Sequence, residues 1–134
     1  MNGLPPVVGP DDRFFWDGVN AGVLLLQRCA DCGAPRHPPA PLCPACGSAA
    51  WATEAASGRG TVHSWVIPRH PIPPGFEAPY VVVLVELDEG PRLVSHLVGA
   101  DPDDVRNDMA VDVVFEEVAD GVRLHRFHPA TAPG

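Results

Sequence analysis

Two observations predict a mainly β chain built from a small metal-clamped unit and a larger sheet. All four cysteines lie between Cys29 and Cys46, as two CxxC pairs with ten residues between them. Five β-type segments follow Gly58, with one short helical start between the third and the fourth. A helical segment ahead of the cysteines completes the pattern. The five strands fit a five-stranded OB-fold barrel, whose helix occupies that position, and they fit a five-strand sandwich equally well.

Residues 1–10 carry three prolines and two glycines and predict a disordered arm. Asp11 or Asp12 can cap a helix, so 11–22 is the N-terminal helical segment, with Gly22 as its stop. Phe14, Phe15 and Trp16 are consecutive and cannot all face one core. The stretch 23–57 is the ribbon. Val23 to Arg28 is its first strand, Arg36-His37-Pro38-Pro39 its return strand, and Trp51 to Ala56 the strand that leaves the second knuckle. Gly33 and Gly47 each follow a second cysteine, where a tight knuckle needs a residue tolerant of positive φ.

The barrel or sandwich occupies 58–129, and 130–134 is a loose tail. Thr61, Val62, Trp65, Val66 and Ile67 give its first strand a β composition. The proline-rich stretch 70–79 predicts a stiff loop suited to recognition, with Arg69 at its base. Tyr80 to Leu87 and Arg92 to Val98 form a pair around the turn Asp88-Glu89-Gly90-Pro91. Asp101-Pro102-Asp103-Asp104 is a helix start of one or two turns. Val111, Val113 and Phe115 alternate, Asp120-Gly121 is a hairpin signal, and Val122 to Phe127 is the last strand.

Cys29, Cys32, Cys43 and Cys46 supply four thiolates, which close a tetrahedral coordination sphere. The pattern predicts a bound structural zinc ion, with iron, a disulfide pair or free thiols as alternatives. The ten-residue spacing is short for a ribbon, so the loop between the knuckles must be compact. No signal-peptide pattern and no apolar run of membrane-spanning length is present, which points to a reducing cytoplasm and to no membrane partner. The formal charge is −8, and all nine basic residues are arginine. Such a surface repels phosphate backbones. No catalytic set is visible. His63 and Ser64 are strand neighbours that point to opposite faces, as do Glu116 and Glu117. The six histidines lack metal-ligand spacing and read as surface or strand residues.

The order of motifs resembles a known family. The residues are Phe15-Trp16, Gly22-Val23-Leu24, Gln27-Arg28-Cys29, Cys32-Gly33, Pro38-Pro39 and Cys43-Pro44-Ala45-Cys46-Gly47. They continue with Gly58-Arg59-Gly60-Thr61-Val62, Pro79-Tyr80, Val85-Glu86-Leu87-Asp88-Glu89-Gly90, Val111 to Phe115, Asp120-Gly121 and Phe127-His128-Pro129. This pattern resembles the acyl-CoA-associated zinc-ribbon/OB-fold family, domain of unknown function thirty-five. The chain departs from it at Asp108-Met109-Ala110, where the family commonly has glycine before the fourth barrel strand.

The resemblance implies a rubredoxin-like zinc ribbon and a C-terminal OB fold. It also implies a non-catalytic accessory subunit that supports a thiolase-superfamily partner: a thiolase, an acyltransferase or synthase, or an aldolase that cleaves steroid side-chain CoA thioesters. Such a subunit can help hold the acyl-CoA. The sequence also admits two other readings. One is a nucleic-acid-binding OB module, disfavoured by an excess of 17 acids over 9 bases. The other is a rubredoxin-like iron electron carrier.

Overall fold

The computed structural model of the chain describes residues 5–68 and 80–130. Arg69, the proline-rich stretch 70–79 and the end of the tail lie outside the described residues. One helix, α1 (Arg13–Asn20), precedes a three-stranded antiparallel sheet of β1 (Leu25–Cys29), β2 (Pro35–Arg36) and β3 (Trp51–Ala55) in the order β2-β1-β3. Then come β4 (Arg59–Val66), β5 (Val81–Leu87), β6 (Arg92–Leu97), β7 (Ala110–Ala119) and β8 (Val122–Pro129), closed into a barrel in the order β4-β5-β6-β8-β7. Closure decides between barrel and sandwich. Among the described residues, no helix is long and apolar enough to cross a membrane.

α1 ends where the sequence predicts. The Val23 amide donates to Gly18 O and the Gly22 amide to Val19 O, with Gly22 at φ +86°, which is a Schellman stop. At its start Asp12 makes no side-chain cap. Its carboxylate instead accepts from Gly9 N (2.7 Å) and Trp16 Nε1 (3.4 Å), tying the arm to the helix. Phe15, Gly18 and Val19 are buried. Phe14 turns the other way and packs on Trp51 of β3, with ring centroids 4.9 Å apart.

The core is the barrel interior. β5 reads as a continuous apolar run, yet the pleat sorts it: Val81, Val83, Val85 and Leu87 are buried inward, and Val82 and Leu84 face out. Val62, Leu93, Leu97, Val111 and Phe127 fill the same space. β7 and β4 complete the closure through Arg59 to Thr61 against Ala110 to Asp112. The parallel pairing of β6 with β8, at Leu97 and Phe127, cannot come from a hairpin.

Two local expectations change, and a third narrows. The predicted return strand of the ribbon shortens to Pro35–Arg36, because its prolines cannot donate to the ladder. The register of β4 shifts between Val62 and Ser64, so His63 sits at a bulge and both His63 and Ser64 are exposed. The helix after β6 is one 3-10 turn, Pro102–Asp104, with Asp101 capping Asp103 N at 2.9 Å. Val105 is already extended, which ends it.

The departure at Asp108 has a clear backbone meaning. Asp108 holds φ +63°, the left-handed region that glycine adopts without strain, while its amide donates to Val62 O at 2.8 Å. Asp108→Gly is therefore expected to raise the unfolding free energy by about 1 kcal/mol in urea denaturation. Gly60→Ala should do the reverse. Its new Cβ would meet Glu86 O at 2.5 Å and Val85 Cγ1 at 2.7 Å, an overpacking that costs about 1–3 kcal/mol.

Candidate functional site

The two CxxC segments fold as matching knuckles. Cys29 N donates to Ala34 O and Gly33 N to Cys29 O; Cys43 N donates to Ser48 O and Gly47 N to Cys43 O. Gly33 and Gly47 hold φ +77° and +78°, which an L side chain rarely adopts. Cys29 and Cys43 are buried, and Cys32 and Cys46 are exposed. The knuckles face each other, with Cys29 Sγ 3.5 Å from Cys46 Sγ and Cys32 Sγ 3.7 Å from Cys43 Sγ. All four sulfurs lie within 4.8 Å of one another. A tetrahedron with metal–sulfur bonds of about 2.3 Å has edges of about 3.8 Å, so the donor set fits a metal ion. The four cysteines form a zinc-ribbon-type metal site.

The thiol acidities show what the cation must relieve. The Cys32 amide lowers Cys29 to about 6, and the Cys46 amide lowers Cys43. The Ala34 amide favours the Cys32 thiolate, but the Cys29 and Cys43 sulfurs outweigh it and raise its pKa. Likewise the Ser48 amide favours the Cys46 thiolate, but the Cys29 sulfur and desolvation push Cys46 up to about 12. Two thiolates form readily and then oppose the other two, an arrangement suited to a divalent ion at the centre.

Polar side chains fix the compact loop between the knuckles. Buried Arg36 donates from Nε to Gln27 Oε1 (2.8 Å) and from Nη2 to Ala40 O (2.9 Å), and Gln27 Oε1 also accepts from Ala40 N. Arg28 joins β1 to Glu54 of β3 and donates to Gly33 O. Ser48 Oγ donates to Asp31, linking one knuckle to the other.

That loop delivers His37 to a second feature. His37, Phe15, Trp16, Ser95, His96, His125 and Arg126 line a cavity of about 430 Å³ between α1, the ribbon and the barrel. Phe15 stands 5.0 Å from the His37 ring and 5.6 Å, edge-on, from His125. Trp16 stacks on His125 at 5.8 Å. Desolvation lowers His37 and His96 to about 4 and His125 to about 3, with the Arg126 charge adding to the effect on His96 and His125. Taken from the sequence alone, these histidines are separate surface or strand residues. No periodicity joins positions 37, 96 and 125; only barrel closure with the helix laid across β8 does.

Ser95 and His125 resemble half of a catalytic triad, but their hydrogens run the other way. The Ser95 hydroxyl donates to His125 O at 2.9 Å, so its oxygen accepts from His125 Nδ1 at 2.8 Å. Nδ1 then carries the proton and cannot take one from Ser95.

Comparison with known proteins gives this arrangement its context. Residues 16–52 match the model for the ChsH2 rubredoxin-like zinc ribbon domain, and 53–116 match the model for the ChsH2 C-terminal OB-fold domain. A DUF35 domain-containing scaffold protein of Pyrococcus furiosus is 37% identical over 86% of this chain and 90% of its own length. The chain belongs to the ChsH2/DUF35 family. A chain of the Ltp2-ChsH2(DUF35) aldolase superposes with a TM-score of 0.90 and 44% identity, covering 94% of this chain and 99% of that one. Two longer relatives share the unit. A probable enoyl-CoA hydratase alpha subunit of Thermomonospora curvata is 45% identical over 93% of this chain. The 3-oxo-4,17-pregnadiene-20-carboxyl-CoA hydratase alpha subunit of Mycobacterium tuberculosis is 44% identical over 87% of it. The chain spans only 39% and 37% of those two relatives.

In this DUF35 chain the buried histidines set a pH dependence. Their folded pKa values lie below the ordinary 6.5, so below that pH the unfolded chain binds protons that the native state refuses. Stability should be full above pH 6.5 and fall from pH 6.5 to about 4 through His37 and on to about 3 through His125, approaching about 1.4 kcal/mol per pH unit for each histidine that stays neutral. Denaturation at stepped pH checks this. His125→Phe should reduce the slope by one proton's worth while leaving any loss common to the metal site unchanged.

Proposed function

We propose that this DUF35 chain is a non-catalytic accessory subunit that binds a thiolase-superfamily acyl-CoA enzyme, supports it and helps hold the acyl-CoA thioester. The observation that carries the reading is the superposition on a chain of the Ltp2-ChsH2(DUF35) aldolase, over 99% of that chain. The scaffold name of the archaeal relative supports the same role. An aldolase that cleaves steroid side-chain CoA thioesters is the partner type this favours, with thiolases and acyltransferases of the same superfamily next. The compartment is the cytoplasm, whose reducing poise keeps thiols available as ligands.

A second reading has its own support. The same unit forms part of two hydratase alpha subunits at about equal identity, so this chain can serve as the DUF35 portion of a CoA hydratase assembly. Co-expression separates the two. With a thiolase-like protein from the same genome, size exclusion should give one stable complex. Assembly with a hydratase subunit alone would favour the second reading, and a chain that stays monomeric beside every thiolase-like partner overturns the first.

Zinc is the metal proposed for Cys29, Cys32, Cys43 and Cys46, in a structural role. Four thiolates leave no open position for water. Elemental analysis of protein grown without excess zinc should find one zinc per chain, whereas one iron and a coloured preparation would mark an electron carrier. Structural zinc in small motifs contributes on the order of 10 kcal/mol of apparent binding free energy. Chelation should therefore lower the melting temperature sharply. Cys43→Ser should weaken folding and partner assembly together. A variant that folds and assembles fully yet loses the complex's turnover would overturn the structural role.

A further inference from the structure

The junction cavity has the makings of a ligand site apart from the metal centre. Its volume of about 430 Å³ falls in the range of small-molecule pockets, about 300–1,000 Å³. Three separate elements wall it, α1 with Phe15 and Trp16, the ribbon loop with His37, Pro38 and Pro39, and the barrel with Val82, Leu93 and Leu124. Most of that wall is apolar or aromatic. Ring faces of Phe15 and Trp16 and the flat edges of two prolines favour a rigid ring over a flexible chain.

One polar atom gives the cavity a chemical preference. His125 is 7% exposed. Its Nδ1 is committed to Ser95 Oγ, which fixes the proton on that nitrogen and leaves Nε2 with its lone pair. Among the described residues Nε2 has no hydrogen-bond partner. His125 lines the cavity, and Nε2 is not sealed off within the protein, so a ligand hydroxyl can reach it and donate to it. The other polar groups argue against charge on the ligand. A carboxylate would set its own lone pairs against Nε2, and the Arg126 guanidinium that would attract it already faces Glu116. A cation would meet the Arg126 guanidinium, which lies beside Glu116 at 3.6 Å and is itself buried. Asp12 is engaged with Gly9 N and Trp16 Nε1.

We propose that the junction cavity binds a neutral, ring-bearing small molecule with one hydroxyl, which donates to His125 Nε2. The site joins helix, ribbon and barrel, so its occupant would stiffen the contact between the metal-clamped unit and the OB barrel. The proposal does not depend on which enzyme the chain assembles with.

The test uses the full metal-loaded chain, labelled with ¹⁵N-histidine, and three probes of one shape. These are 2-naphthol, 2-methoxynaphthalene, which lacks the donor, and 2-naphthoate, which is charged. 2-Naphthol should bind saturably and at least tenfold tighter than the other two, and it alone should shift the His125 Nε2 resonance. His125→Phe should keep the ring contacts and bring 2-naphthol and 2-methoxynaphthalene to equal affinity. Equal affinities in the wild-type chain overturn the proposal. So does saturable binding that leaves Nε2 unmoved, and so does a lack of saturable binding by 2-naphthol. The wild-type measurements decide the matter even if the variant fails to fold.

Discussion

Four cysteine sulfurs within 4.8 Å of one another are the constraint on which the N-terminal half depends. The three ribbon strands offer little else to hold them. β2 has two residues, and β3 is exposed at four of its five positions. A sheet of that kind cannot bury enough apolar surface to offset the entropy of ordering its chain. The amides that stabilise two of the thiolates also place them beside two sulfurs that resist ionising. A cation at the centre resolves that conflict and turns repulsion into a cross-link between the knuckles. The Gln27–Arg36–Ala40 lock then shortens the loop between them, and this loop aims His37 at the helix.

α1 is the second fastening, and it exists only through its contacts. Eight residues are too few for a stable helix in water. Phe15 lies between His37 of the ribbon and His125 of the barrel, Phe14 reaches Trp51 of β3, and Asn20 accepts from the Arg123 amide of β8 at 2.8 Å. The consequence falls on β8. An outer barrel face is normally wet, but residues 124–127 are all buried, His125 and Arg126 included. A helix laid across the strand covers one face while the barrel fills from the other. The neutral histidines of the junction follow first from that double covering, and the Arg126 charge adds to it at His96 and His125.

Features set by short-range chemistry were legible in the sequence. The CxxC knuckles, the Gly22 stop, the Asp101 cap with Pro102 and the alternation of β7 each need only a few neighbouring residues to be read. The family resemblance added the barrel, which local signals left open beside a sandwich. What local reading lacks is any access to closure. The β6–β8 pairing joins segments thirty residues apart through Leu97 and Phe127, and it sets Ser95 against His125. The bulge at His63 was equally hidden, because an extra residue in a strand leaves the composition unchanged. Asp108 is the instructive middle case. The sequence marked it as the place where glycine was missing, and the structure shows the glycine-like φ that the aspartate has to adopt.

The Ser95–His125 pair shows how little separates a structural contact from a catalytic one. Distance does not distinguish them, since 2.8 Å suits both. The destination of one proton does. A nucleophilic serine needs its hydrogen pointed at an unprotonated nitrogen, and here that hydrogen goes to the main-chain carbonyl of the same histidine. The histidine must then protonate Nδ1 to satisfy the serine oxygen, and its basic nitrogen turns away from that hydroxyl. Both groups are spent on joining β6 to β8 at the barrel's parallel seam. That use of serine and histidine as fasteners supports the reading of a scaffold, and it leaves Nε2 as the one part of the pair still free to meet another molecule.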